Sequence, residues 1–204
     1  MNIEFNEDQT DALKELMNVS IGAATANLAE LLDAFATMHI PKIEICNSNE
    51  LMQRIHQEVD VSSMYYVTKQ LFTGKFGGEC MFLMSENSAQ NLGGHLYGIL
   101  NPSKDDINDA VIELTNILSS TLISRLTQEL NTQVQFFVPS SLFTDSKNII
   151  DLGDISNYSK IIIISTILEF KDQKVEGSIY ILTKDEAIES LKMLINKKLE
   201  EIYG

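Results

Sequence analysis

Apolar residues recur at helical spacing along the first stretch of the chain. From residue 7 to about 36, Leu13, Leu16, Met17, Ala24, Leu28, Leu31 and Phe35 project to one side of a helix. Asn6 or Asp8 stands where an N-cap is needed. Residues 105–131 repeat the pattern with Val111, Leu114, Leu118, Leu122 and Leu126, after the turn signal Asn101-Pro102-Ser103. Elsewhere the period shortens to that of strands: 42–46, 64–73, 79–84, 133–138, 160–170 and 175–182. Glycines in Gly74-Lys-Phe-Gly-Gly78 mark a hairpin turn or bulge between two of them. Shorter helices are expected over 49–56, over 86–92 with Ser85 as cap and Gly93-Gly94 as stop, and over 184–201. Residues 140–158 read as an irregular connection.

The elements come in the same order twice. Asp11-Ala-Leu-Lys-Glu15-Leu-Met-Asn18 is answered by Asp109-Ala-Val-Ile-Glu113-Leu-Thr-Asn116, 98 positions later. Pro41 follows Asn18, and Pro139 follows Asn116, with 22 residues between in each case. The hairpins overlay as well, Gly78 to Leu92 on Gly177 to Leu191, at an offset of 99. The expectation is a single domain over 1–204 made of two repeats, about 7–100 and 105–204. Two copies imply pseudo-twofold symmetry, since a solenoid needs more repeats. The fold class is α/β (α+β): both halves contribute to one antiparallel β-sheet, and the long amphipathic helices cover it.

The polar residues of the repeated octads lie on one narrow stripe. At about 100° per residue, Glu15 stands about 40° and Asn18 about 340° from Asp11, opposite the apolar side. The same holds for Asp109, Glu113 and Asn116. Gly22 and Ala29 continue the first stripe, and Ser120 and Thr127 the second, so another surface could come close. A lone Glu-x-x-Asn on an amphipathic helix is ordinarily a solvated face. Asparagine is a mediocre helix former, however, and finding it mid-helix twice at one offset points to a site.

Composition narrows the partners. The net charge of −14 disfavours nucleic acid and anionic membrane surfaces, which both require cationic patches. The first residues are acidic and hold no leader-like apolar segment, and the longest aliphatic run, Ile161 to Ile164, is too short to span a bilayer. A cytoplasmic chain without membrane insertion is expected. Cys46 and Cys80 sit in strand-like runs and read as small buried hydrophobes in a reducing compartment. His39, His56 and His95 show no metal-ligand spacing, and no nucleophile elbow or phosphate-binding loop is present.

The doubled Asp-x-x-x-Glu-x-x-Asn with its distant proline resembles the signature of the CheC/CheX/FliY family of response-regulator phosphatases. Glu15-Leu-Met-Asn18-Val-Ser-Ile-Gly22 resembles the family's first signature in its FliY-like form, and Glu113-Leu-Thr-Asn116-Ile-Leu-Ser-Ser120 the second. Length, duplication and element order are similar to CheC over essentially the whole chain. CheX-type members typically keep one signature, and FliY-like members add a motor domain for which this length leaves no room.

The resemblance implies hydrolysis of the aspartyl phosphate on a CheY-like response regulator. Asn18 and Asn116 would place the attacking water, and Glu15 and Glu113 would pair with the regulator's lysine. Asp11 and Asp109 would take a helix-end or orienting role or touch the partner. No cofactor is expected on this chain, because the magnesium ion belongs to the regulator. A CheD-like deamidase is a second implied partner. The rival reading is a non-catalytic adaptor or switch-complex module that binds CheY-like or CheD-like proteins, because the middle domain of flagellar switch proteins has this fold without the pair.

Overall fold

A computed structural model describes residues 5–149 and 160–203. Helix α1 (Glu7–Leu31) is followed by β1 (Thr37–Met38), β2 (Lys42–Asn47), α2 (Ser48–Glu58), and the hairpin of β3 (Met64–Gly74) and β4 (Gly78–Ser85). Helices α3 (Glu86–Tyr97) and α4 (Lys104–Glu129) come next. The chain continues through β5 (Val134–Phe136), β6 (Ser140–Asp145), the hairpin of β7 (Lys160–Phe170) and β8 (Val175–Lys184), and α5 (Asp185–Tyr203).

The strands form one eight-stranded sheet in the order β1-β7-β8-β4-β3-β5, with β2 also on β7 and β6 also on β3. Every pairing is antiparallel. The order reads the same from both ends. At the centre, β4 faces β8 with Met81 opposite Tyr180, the one pair of this ladder whose members match at the sequence offset of 99. A twofold relation between the halves passes through that pair.

The sheet has two unequal faces. One carries the large core, in which Phe72, Phe82, Met84, Ile162, Ile164 and Ile181 meet the apolar sides of α1, α4 and α5. The other carries a smaller cluster, with Val67, Met81, Ile163 and Tyr180 under Leu51 and Ile55 of α2. Burying one stripe per helix on the first face is what holds α1 and α4 side by side.

Both long helices start with reciprocal caps. Asn6 Oδ1 accepts from Gln9 N (2.8 Å) while Gln9 Oε1 accepts from Asn6 N (3.0 Å). Asp106 N donates to Ser103 Oγ (3.2 Å) and Asp106 Oδ2 accepts from Ser103 N (2.8 Å). The Ser103 hydroxyl and amide hold the Asp106 carboxyl below its usual range. Both helices also end alike. Asp33 (φ 43°) and Asn131 (φ 51°) turn left-handed, and the next amide reaches back, Ala34 to Ala29 O (3.1 Å) and Thr132 to Thr127 O (2.9 Å).

Several expectations need correction. Helix α1 stops at Leu31 rather than near 36, because Asp33 closes it. Leu31 and Phe35 consequently lie in the open, at 52% and 76% exposure, and do not extend the apolar side. Gly93-Gly94 does not end α3; Gly93 is buried against Pro102 and Ile107, and the left-handed Gly98 provides the stop. Residues 140–145 are strand β6, paired along β3, and 146–148 form a turn of 3-10 helix. Residues 150–158 of the expected connection lie outside the described residues. Thr127, expected on the outer stripe, is buried. The helices at 48–58 and 185–203 run slightly longer than anticipated. Cys46 and Cys80 are buried free thiols, and desolvation pushes Cys80 up to about 12, so it stays protonated and inert.

Gly78 opens β4 at a place with no room for a side chain. A Cβ there would run into the Leu182 carbonyl oxygen and the Phe72 ring. Gly78→Ala is therefore expected to lower stability by about 1–3 kcal/mol through overpacking. Urea unfolding checks this, and an unchanged midpoint would mean β4 and β8 are not packed as described.

Candidate functional site

Helix α1 buries Leu13, Leu16, Met17, Ile21, Ala24 and Leu28, and so turns Asp11, Glu15 and Asn18 outward. Helix α4 buries Ala110, Val111, Leu114, Leu118 and Leu122, and so turns Asp109, Glu113 and Asn116 outward. All six residues named from the sequence are exposed on helix faces. Each stripe keeps its own set together. Asn27 Nδ2 on α1 donates to Thr121 Oγ1 on α4 (3.4 Å), a surface contact between the two helices.

Asp11 is occupied by its own helix, in an ion pair with Lys14 Nζ at 3.1 Å. Both groups are open to solvent, so the pair contributes little stability. It leaves Glu15 as the unpaired carboxylate beside Asn18 among the described residues. Gly22 continues this stripe with open space around it.

The second stripe has neighbours the sequence did not point to. Tyr97, the last residue of α3, stands near Glu113, Asp109 and Asp106. Desolvation first, and then these carboxylates in that order, push its phenol up, so it remains a neutral hydroxyl. A tyrosine at a helix end gives no signal of this in sequence. Only the packing of α3 on α4 brings it there.

The second neighbour is Gln70, on β3 beneath Asn116. It is buried to 1% exposure, and its Nε2 donates to Asn116 Oδ1 and to the Phe137 carbonyl oxygen, both at 2.9 Å. Its Oε1 accepts from the Ser119 hydroxyl, whose one proton is shared with Thr115 O (2.7 Å). The backbone carbonyl of Phe137 can only accept, which fixes the amide orientation. The Gln70 atom beside it must be the nitrogen, and the Asn116 atom that nitrogen meets must be the oxygen. Asn116 therefore presents its NH2 group and one remaining oxygen lone pair outward.

Each proline of the repeated spacing sits where an edge strand is broken. Pro41 separates β1 from β2, and Pro139 separates β5 from β6. Proline has no amide to give the ladder, and the pairing resumes only beyond it. Two residues before each proline the backbone is held in the same way. His39 N donates to Ile167 O (3.1 Å) and Phe137 N donates to Leu71 O (3.0 Å). The freed carbonyls are caught by side chains from the neighbouring strand, His39 O by Thr166 Oγ1 (2.7 Å) and Phe137 O by Gln70 Nε2 (2.9 Å). Thr166 and Gln70 thus occupy matching places with different reach.

No group of three or more His, Cys, Asp or Glu among the described residues could hold a metal ion. His56 and His95 are engaged by the carbonyls of Ser146 (2.9 Å) and Leu32 (2.7 Å), and His39 lies 3.5 Å from Glu169. No helix among the described residues is long and apolar enough to cross a membrane.

No protein-family model matches the chain. It is 21% identical over 203 residues to the CheY-P phosphatase CheC of Bacillus subtilis, covering 96% of this chain and 97% of CheC. Its fold is similar to that of Thermotoga maritima FliY (TM-score 0.74, 12% identity, 95% and 98% covered). H. pylori FliM, solved in complex with SpeE, is similar at TM-score 0.66 (11% identity, 96% and 98% covered). CheX of Desulfovibrio desulfuricans follows at TM-score 0.56 (15% identity, 83% and 99% covered). The chain has the fold of the CheC/CheX/FliY family, as its doubled signature suggested.

The two asparagines should differ in stability. Asn18→Ala removes no hydrogen bond among the described residues and improves helix propensity, so stability is expected to stay level or rise by about 0.5 kcal/mol. Asn116→Ala strips a partner from buried Gln70, which costs about 1 kcal/mol before the propensity gain offsets part of it. Paired urea titrations read the difference, and equal stability for both variants would contradict the Gln70 contact.

Proposed function

We propose that this protein is a phosphatase for the aspartyl phosphate of a CheY-like response regulator, with one site on each long helix. The observation that carries the reading is the pair of exposed Glu/Asn sets, each one helical turn apart and each backed by a buried core. The full-length likeness to a CheY-P phosphatase supports it. The palindromic sheet supports reading the chain as one unit written twice, with both copies of the site kept.

The chemistry divides between two proteins. The regulator brings the phosphorylated aspartate, its magnesium ion and a lysine. This chain brings Glu15 or Glu113 to pair with that lysine, and an ion pair gains strength as the closing interface excludes water. Asn18 or Asn116 then holds a water in line with phosphorus by donating and accepting hydrogen bonds. The water oxygen forms the new bond to phosphorus as the bond to the aspartyl oxygen breaks. The products are inorganic phosphate and a free aspartate carboxylate. A loose transition state asks for alignment more than for a strong base, so an amide suffices. Asp11, tied to Lys14, orients its own helix surface, and Asp109 lies beside Tyr97 at the edge of the second stripe.

The likeness to FliM favours one other reading, a switch-complex or CheD-binding adaptor that docks a regulator without hydrolysing its phosphate. Phosphate release from a phosphorylated CheY-like regulator separates the two. The wild type is expected to accelerate release, Asn18→Ala and Asn116→Ala to keep part of that rate, and the double variant to show only the regulator's own decay. Glu15→Gln with Glu113→Gln should raise the half-saturating regulator concentration about tenfold and leave the saturating rate nearly intact. Excess chelator should stop turnover. A wild type that adds nothing to the regulator's own decay would favour the adaptor, and a double asparagine variant as fast as an accelerating wild type would remove the asparagines from the reaction.

A further inference from the structure

We infer that Gln70 is a positioning residue for Asn116, and that it makes the site on α4 the faster of the two. This rests on the phosphatase reading above. Gln70 belongs to the sheet, not to the helix it serves. Its amide is fixed at three points, by Phe137 O, by Ser119 and by Asn116 Oδ1. A buried amide with both its ends engaged does not rotate, so the Asn116 oxygen that meets it is held as well. The outward NH2 group and the open lone pair of Asn116 are thereby set before any partner arrives. Binding then spends nothing on choosing that rotamer, and the water is received by a pre-aligned amide.

The first site lacks this device. The place that matches Gln70 is Thr166, whose hydroxyl donates to His39 O (2.7 Å) and reaches no further. The place that matches Ser119 is Ile21, which has no polar atom to hold an amide. Asn18, exposed on α1, has no side-chain partner among the described residues and must find its rotamer in each encounter. The saturating rate of the second site should exceed that of the first by about fivefold, the factor expected when one side chain is ordered beforehand.

Single-site proteins test this by single-turnover phosphate release against regulator concentration. In the Asn18→Ala background, Gln70→Met keeps the volume but removes the amide. It should lower the saturating rate about fivefold and leave the half-saturating concentration within about twofold. Ser119→Ala, a milder change that removes the contact to Gln70 Oε1, should give a smaller loss of the same kind. In the Asn116→Ala background Gln70→Met has no asparagine left to act on, and the rate should not move. The side-chain amide protons of Asn116 in a nitrogen-edited NMR spectrum supply a readout independent of turnover. They should be well separated in the wild type and collapse toward free-asparagine values in Gln70→Met. Equal losses in both backgrounds, a loss confined to affinity, or unchanged Asn116 amide signals would overturn the role of Gln70. Activity in the Asn18→Ala, Asn116→Ala protein would instead remove both asparagines from the reaction, and a wild type that adds nothing to the regulator's own decay would sink the phosphatase reading itself, whatever Gln70 does.

Discussion

Two long helices must bury their apolar sides on the same face of one sheet, and the rest of the molecule follows from that constraint. Leu13, Met17, Ala24 and Leu28 of α1 and Val111, Leu114, Leu118 and Leu122 of α4 are essentially closed to solvent. Each fully buried leucine is worth about 1.5–3 kcal/mol, so neither helix can roll about its axis without losing several of them. The direction of Glu15, Asn18, Glu113 and Asn116 is therefore decided by residues on the opposite side of the helix. The exposed Glu and Asn of each helix, one turn apart, are thus held in place by a core on the opposite side of that helix. Gly78, closed in by Leu182 and Phe72, helps set the sheet to which that core is fitted.

The broken edge strands link the sheet to the helix surface. A proline at the same distance from each asparagine looks, in sequence, like a bare spacing. In the fold it interrupts the ladder and leaves a carbonyl that the adjacent strand must satisfy by a side chain. On one side threonine does this and nothing more. On the other, glutamine does it and has a second hydrogen to spend on Asn116. One side chain of difference at matching positions gives Asn116 a buried partner that Asn18 lacks among the described residues.

Much of this was legible because it was periodic. The helical and strand periods gave the long helices and both hairpins, and the capping residues placed two of the helix starts closely. The octads gave the exposed stripes, because outwardness is set by the same 3.6-residue period that buries the other side. What failed was local or tertiary. Asp33 ends α1 in a left-handed turn without the glycine that usually advertises one, so Phe35 was counted into the helix. Gly93-Gly94 looked like a stop, while its smallness serves the approach of α3 to α4. Strand β6 carries Ser140, Ser141 and Thr144 and reads as a loop, because it gains its partners only from β3. Gln70 stood in a strand beside Thr68 and Lys69, with nothing to set it apart from them. Its meaning depends on α4 crossing above it and on a carbonyl 67 positions away, neither of which a linear pattern contains.

The most direct test is the structure of this protein bound to a CheY-like receiver whose aspartate carries a beryllofluoride phosphate mimic. The account predicts that the stripe of α4 closes over the receiver's acidic pocket. Glu113 should lie within ion-pair distance of the receiver's lysine, and Asn116, still held by Gln70, should hydrogen-bond a water in line with the beryllium. A receiver seated on the opposite face of the sheet, or one on the stripe with Asn116 turned away from the mimic, would contradict it.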